Sequence, residues 1–98
     1  MSPVELWVSM FEDETPVAWQ AVPHEAVVVA GDGSEIGRVE TMLGDEEEDI
    51  FHGIAMRRAE DGETVEVPAA RIKRMTEKHV ITDVGTDEVS SLPAYPAR

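Results

Sequence analysis

Between Val27 and Asp83 short apolar alternations are separated by Asp-Gly turns. Residues 26–30 (A-V-V-V-A) are rich in β-branched side chains and read as a strand. Gly31-Asp32-Gly33 follows, and Asp-Gly is a strong hairpin signal. In residues 35–43, Val39, Thr41 and Leu43 share one face of a period-two pattern and Arg38, Glu40 and Met42 the other. Gly37 inside that strand marks a bulge or a close backbone approach, the kind of kink that curves a small sheet. Residues 50–59 form a long strand carrying Ile54 and Met56. Asp61-Gly62 turns the chain into residues 63–67, where Val65 and Val67 alternate with Thr64 and Glu66. Pro68 suits the first position of one helical turn over residues 68–72, and residues 79–83 are the last strand. Residues 17–22 read as a short strand bracketed by Pro16 and Pro23, because proline cannot donate to a central ladder.

The pattern predicts an all-β fold, a small barrel or sandwich of about five to six strands with one short helical turn. Residues 17–84 form that domain. Residues 1–16 are an N-terminal arm with an apolar cluster of Leu6, Trp7, Val8, Met10 and Phe11. From Gly85 the composition turns to Thr, Asp, Ser and Pro, which reads as a flexible, disordered C-terminal tail over residues 85–98.

Length and composition narrow the picture. A chain of 98 residues holds one domain with a modest core, and 42% hydrophobic residues favour a globular fold over a disordered one. Cysteine is absent, so disulfides and thiolate metal sites are excluded. No apolar run approaches the ~20 residues that span a bilayer. No basic residue precedes the first apolar patch, which argues against a secretory or transit peptide. A cytoplasmic protein is expected.

The net charge is −13, from 21 acids and 8 bases. A phosphate backbone or an anionic membrane is repelled by such a field unless a local basic patch overcomes it. No Lys or Arg precedes Arg38, and five of the eight bases fall in two clusters, Arg57-Arg58 and Arg71, Lys73 and Arg74. Asn is absent and Lys occurs only twice, a bias shared by high-GC genomes and salt-adapted proteomes.

Three places resemble the PRC-barrel domain family. Residues 29–39 (V-A-G-D-G-S-E-I-G-R-V) are similar to its opening hairpin, residues 50–56 to its central strand, and residues 65–72 (V-E-V-P-A-A-R-I) to its strand–proline–helical-turn segment. The resemblance covers a little over half of the chain and rests on apolar, structural positions. It implies a PRC-type β-barrel used as an adaptor. Known contexts of the family are the cytoplasmic part of the photosynthetic reaction centre H subunit and the C-terminal half of a ribosome maturation factor. This sequence lacks the membrane helix of the first, and residues 1–26 are too short for the extra barrel of the second. A stand-alone member is the context that remains.

The residues offer little reactive chemistry. Asp45-Glu46-Glu47-Glu48-Asp49 is a consecutive run, without the alternating ligands and obligatory glycine of a calcium loop, and reads as a solvated turn. His24, His52 and His79 have no metal-ligand spacing. Ser34, Ser90 and Ser91 lack a neighbouring His or nucleophile elbow. The glycines at 31, 33 and 37 miss the dinucleotide fingerprint by one position and precede a strand. No catalytic residue, metal or cofactor is therefore expected.

The expected function is that of a non-catalytic protein-binding adaptor. Arg57, Arg58, Arg71, Lys73 and Arg74 form the candidate partner site, provided that pairing of their strands gathers them at one barrel end. The alternative is a ribosome- or RNA-processing-associated factor acting through that patch, although no aromatic array accompanies it. Leu6, Trp7, Val8, Met10 and Phe11 are the candidate dimer or partner interface. A barrel of about 60 residues is near the lower limit of self-sufficient stability, and edge packing through the arm would bury these side chains in a homodimer.

Overall fold

The computed structural model of the chain describes residues 14–95. The strands are β1 (Val27–Val29), β2 (Glu35–Asp45), β3 (Ile50–Arg58), β4 (Thr64–Pro68), β5 (Ile72–Met75) and β6 (His79–Thr82). They form one sheet in the order β4-β3-β2-β1-β6-β5. All neighbours are antiparallel except β1 and β6, which run parallel with Val27 opposite His79 and Val29 opposite Ile81. The all-β, six-stranded architecture is the one the sequence pattern predicts.

One face of this sheet curls around a single core. Val28, Ile36, Val39, Ile54, Met56, Val65, Val67 and Val80 all meet there, with Ile72 and Met75 of β5 packed against them. The sheet does not close into a complete barrel. β4 and β5 are joined through a 3-10 turn over Ala69–Arg71 and share no ladder. On the other face Val29 and Ile81 make a second small cluster with half-buried Val27. Among the described residues no helix is long and apolar enough to cross a membrane.

Turn chemistry explains the hairpins. Gly33 and Gly62 take the left-handed φ values of 89° and 76° that their turns need. Asp32 and Asp61 accept the backbone N–H two residues on, from Ser34 and Glu63, which fixes each turn. At Gly37 an added Cβ would lie 2.5 Å from the Arg57 carbonyl and against Met56, so the close approach expected there is real.

Four local expectations differ from the structure. Residues 17–22 hold a 3-10 turn, Trp19–Ala21, where a strand is expected, because Trp19 packs against the β2–β3 hairpin. Pro68 is extended and caps its 3-10 turn from outside, and that turn leads into β5, a strand that the sequence pattern does not announce. In β2 a register shift between Val39 and Thr41 leaves Glu40 unmatched and reverses the alternation. Met42 thereby joins Val39 against the core, and Thr41 turns to solvent. Finally, the described part of the C-terminal segment packs against the domain. Val89 is buried, Leu92 touches the core, and Ala94 bridges to Val65 on the outer edge of β4. Main-chain bonds from Glu66 to Pro93 and from Tyr95 to Thr64 seal that edge.

Candidate interaction surface

Of the five bases singled out in the sequence, Arg57 and Arg71 stand at opposite ends of the β3–β4 ladder, whereas Arg58 and Arg71 reach the adjacent residues Val89 and Glu88. The β3–β4 pairing that would bring them together is present, but Arg57 lies opposite Thr64 at the start of β4, whereas Arg71 follows the end of β4. Gly53, beside Pro68, and Arg57 are about 13 Å apart along β3.

Each of the five is engaged within the chain. Arg57 bridges Glu25 and Glu40. Arg58 forks onto Asp61, reaches Glu60 at 3.3 Å and donates to the Val89 carbonyl at 3.0 Å. Arg71 binds Asp83 at 2.6 Å and Glu88 at 3.0 Å, and Lys73 holds the second Asp83 oxygen at 3.2 Å. Arg74 donates to the Glu14 carbonyl at 2.9 Å, and its Nε is buried without a hydrogen-bond partner among the described residues.

These pairs move the titrations of their members. The Arg57 guanidinium holds the Glu25 carboxyl below its usual value. Hydrogen bonds from Arg71 and then from the Gly85 amide do the same for Glu88. Burial alone would raise Asp83, but the bonds from Arg71 and Lys73 outweigh it and lower the group. Glu88 and Asp83 together raise Arg71 further above its ordinary value. Glu25 has a left-handed backbone, φ 71°, and its N–H donates to the Val39 carbonyl, so the carboxyl that anchors Arg57 sits on a fixed turn.

The acidic turn between β2 and β3 is arranged differently. Asp45 accepts the N–H groups of Glu47 and Glu48, at 3.0 and 3.2 Å. Asp49, at φ 55°, accepts Trp19 Nε1 at 3.2 Å and Gln20 Nε2 at 2.8 Å. The Trp19 ring stacks on Phe51, with centroids 5.7 Å apart and planes 24° apart. Gly44 leaves room for this, since a Cβ there would meet the Trp19 ring at 2.9 Å. The turn is therefore tied to the Trp19–Ala21 segment through neutral donors. No Lys or Arg among the described residues forms an ion pair with Asp45, Glu46, Glu47, Glu48 or Asp49.

Beside the turn lies a groove of about 250 Å³ between the Trp19–Ala21 segment and β2. Trp19, Val22, Val39 and Met42 supply its apolar part, and Glu40 and Glu46 its carboxylates. A second depression of about 310 Å³ is floored by Ile36 and Val89.

One cluster joins hydroxyl, imidazole and carboxylate. Thr76 donates to Glu14 at 2.6 Å, and His79 Nδ1 lies 2.8 Å from the same Glu14 oxygen. The Thr76 oxygen also receives the N–H groups of Lys78 and His79. The carboxylate thus stands between the imidazole and the hydroxyl, the reverse of a nucleophile activated by a histidine base. The cluster clamps the β5–β6 turn to the segment before Pro16. Burial would raise Glu14, yet the Thr76 and His79 bonds hold it below its usual value.

No group of three or more His, Asp or Glu among the described residues is placed to hold a metal ion. Leu6, Trp7, Val8, Met10 and Phe11, the candidate dimer interface, lie outside the described residues. The sequence reading passed over the groove, because its walls come from a 3-10 turn and a strand whose phase is set by a bulge. The chain matches no protein-family model, and no curated protein matches it.

Proposed function

We propose that this chain is a non-catalytic protein-binding module of the PRC-barrel kind that its sequence resembles, and that it presents the acidic β2–β3 end to a basic partner. The observation that carries the reading is the distribution of counter-charges. The bases of the two clusters are bound to acceptors in their own chain, whereas among the described residues no cation pairs with the acidic turn. A protein of net charge −13 whose two basic clusters are so engaged attracts positively charged surfaces and repels phosphate. For that reason the RNA-associated alternative is not the reading adopted. The wiring of Thr76, His79 and Glu14 supports a structural role for the hydroxyl–imidazole–carboxylate cluster.

Cross-linking in a lysate of the source cell tests the proposal. The expected result is a protein partner attached through the Asp45–Asp49 turn and lost from a Glu46→Gln/Glu47→Gln/Glu48→Gln triple variant. Equal recovery with the wild type and the triple variant would overturn it.

A further inference from the structure

The groove beside the acidic turn has the size and chemistry of a pocket for one side chain. Its volume of about 250 Å³ falls below the ~300–1,000 Å³ typical of small-molecule and cofactor sites. Its apolar part is firmly built, since Trp19 and Val22 are 8% exposed and Val39 only 1%. Its polar part sets the Glu40 and Glu46 carboxylates beside Gln20, His24 and Thr41, and the two carboxylates are incompletely satisfied. Glu40 gives one oxygen to Arg57, and Glu46 has no ion-pair partner among the described residues.

We infer that this groove receives an arginine side chain from a basic segment of the partner, with the rest of that segment lying along the acidic turn. The aliphatic stem of arginine suits a floor of Trp19, Val22 and Met42. The planar guanidinium carries five donors, enough to engage Glu46 and the remaining oxygen of Glu40 together. Charge complementarity selects the occupant. The adjoining run from Asp45 to Asp49 has no ion pair among the described residues, and its tie to Trp19 and Gln20 through Asp49 holds groove and turn in fixed relation. The inference rests on the protein-binding reading and adds a ligand chemistry to it.

The probe is an acetylated, amidated hexapeptide with one arginine and two lysines, compared with its citrulline counterpart. The full chain carries Trp7→Phe, so that Trp19 is the remaining indole. Trp19 fluorescence and the amide shifts of Thr41, Met42 and Glu46 report binding at low salt. The arginine peptide is expected to give saturable changes at these positions and the citrulline peptide much weaker ones. Glu46→Gln, in an exposed turn, should weaken binding at least about threefold. Thr41→Arg, which plants a competing cation at the groove, should abolish the saturable response. Glu77→Gln removes the same charge from an exposed position in the β5–β6 turn and should leave affinity unchanged within error. Equal weakening by Glu46→Gln and Glu77→Gln would mean that only the general field attracts the peptide, and the groove inference would fall while the protein-binding reading stood. No saturable shift at Thr41, Met42 and Glu46 would overturn it as well. Saturable binding without any cross-linked cellular partner would instead count against the protein-binding reading alone.

Discussion

Two carboxylate-rich regions of this molecule use their charge in opposite ways. At the corner where the Ala69–Arg71 turn meets the segment after β6, Asp83 and Glu88 converge on Arg71 and Lys73. At the β2–β3 end, Asp45 and Asp49 are satisfied by backbone, indole and amide N–H groups, and no Lys or Arg among the described residues pairs with them. Both regions are acidic in sequence, but at the corner the charge holds the chain together. At the turn, donors without charge fix the geometry and leave the negative field outside.

The largest expected effect comes from breaking the strand that links the two regions. β3 leaves the acidic turn and at Gly53 passes against Val67, Pro68 and Ala69, next to the turn that carries Arg71. Gly53 has φ 142°, and an added Cβ would clash with the Val67 carbonyl. Gly53→Ala should therefore lower unfolding free energy by about 3 kcal/mol in urea titrations. Arg71→Met should lower the urea midpoint less than Gly53→Ala. It should also return the Asp83 and Glu88 carboxyl titrations, followed by NMR, upward toward ordinary values.

Acidification sharpens the contrast next. Asp83, Glu88 and Glu14 have folded-state values below their usual ones. Each contributes stability that is complete above the unfolded-chain value of about 4 and is lost as pH falls through the lower folded value. The unfolding free energy should thus decline on the acid side of about pH 4, and Arg71→Met should make that decline shallower. The smallest effect belongs to the turn. Glu47→Gln/Glu48→Gln should leave stability within about 0.5 kcal/mol of wild type and the corner titrations unmoved. A large loss of stability in that variant would erase the distinction between the two regions.

The fold was legible where alternation and turn chemistry coincide. Ile54, Met56, Val65 and Val67 alternate on β3 and β4 as their spacing requires, and both Asp-Gly hairpins form. β5 was not legible, because Ile72, Lys73, Arg74 and Met75 carry no period-two signal once a register shift at Lys73 interrupts the pairing. The second half of β2 was read with the wrong face inward, since nothing local announces that Glu40 is the unmatched residue. Arg57, Arg71 and Arg74 stand out as bases, but their partners Glu25, Glu88 and Glu14 are distant in sequence. Charge pairing across a fold is a tertiary property, which is why a cluster of bases looked like a free patch. The groove was hidden for the same reason, as Trp19 and Glu46 come to line one cavity only after the hairpin folds back.

The parallel pairing of β1 with β6 also sets a timetable for folding. Residues 30–78 lie between the paired strands, so the centre of the sheet cannot zip before nearly the whole chain exists. The β2–β3–β4 meander needs only neighbours in sequence and can assemble while later residues are still being synthesised. β1 then waits with one edge unpaired until His79–Thr82 arrives, and closing that long loop becomes the slow, entropy-limited event. A ribosome-released chain ending before residue 79 would therefore keep the meander but expose the edge of Val27–Val29, making truncation products the species most prone to aggregate.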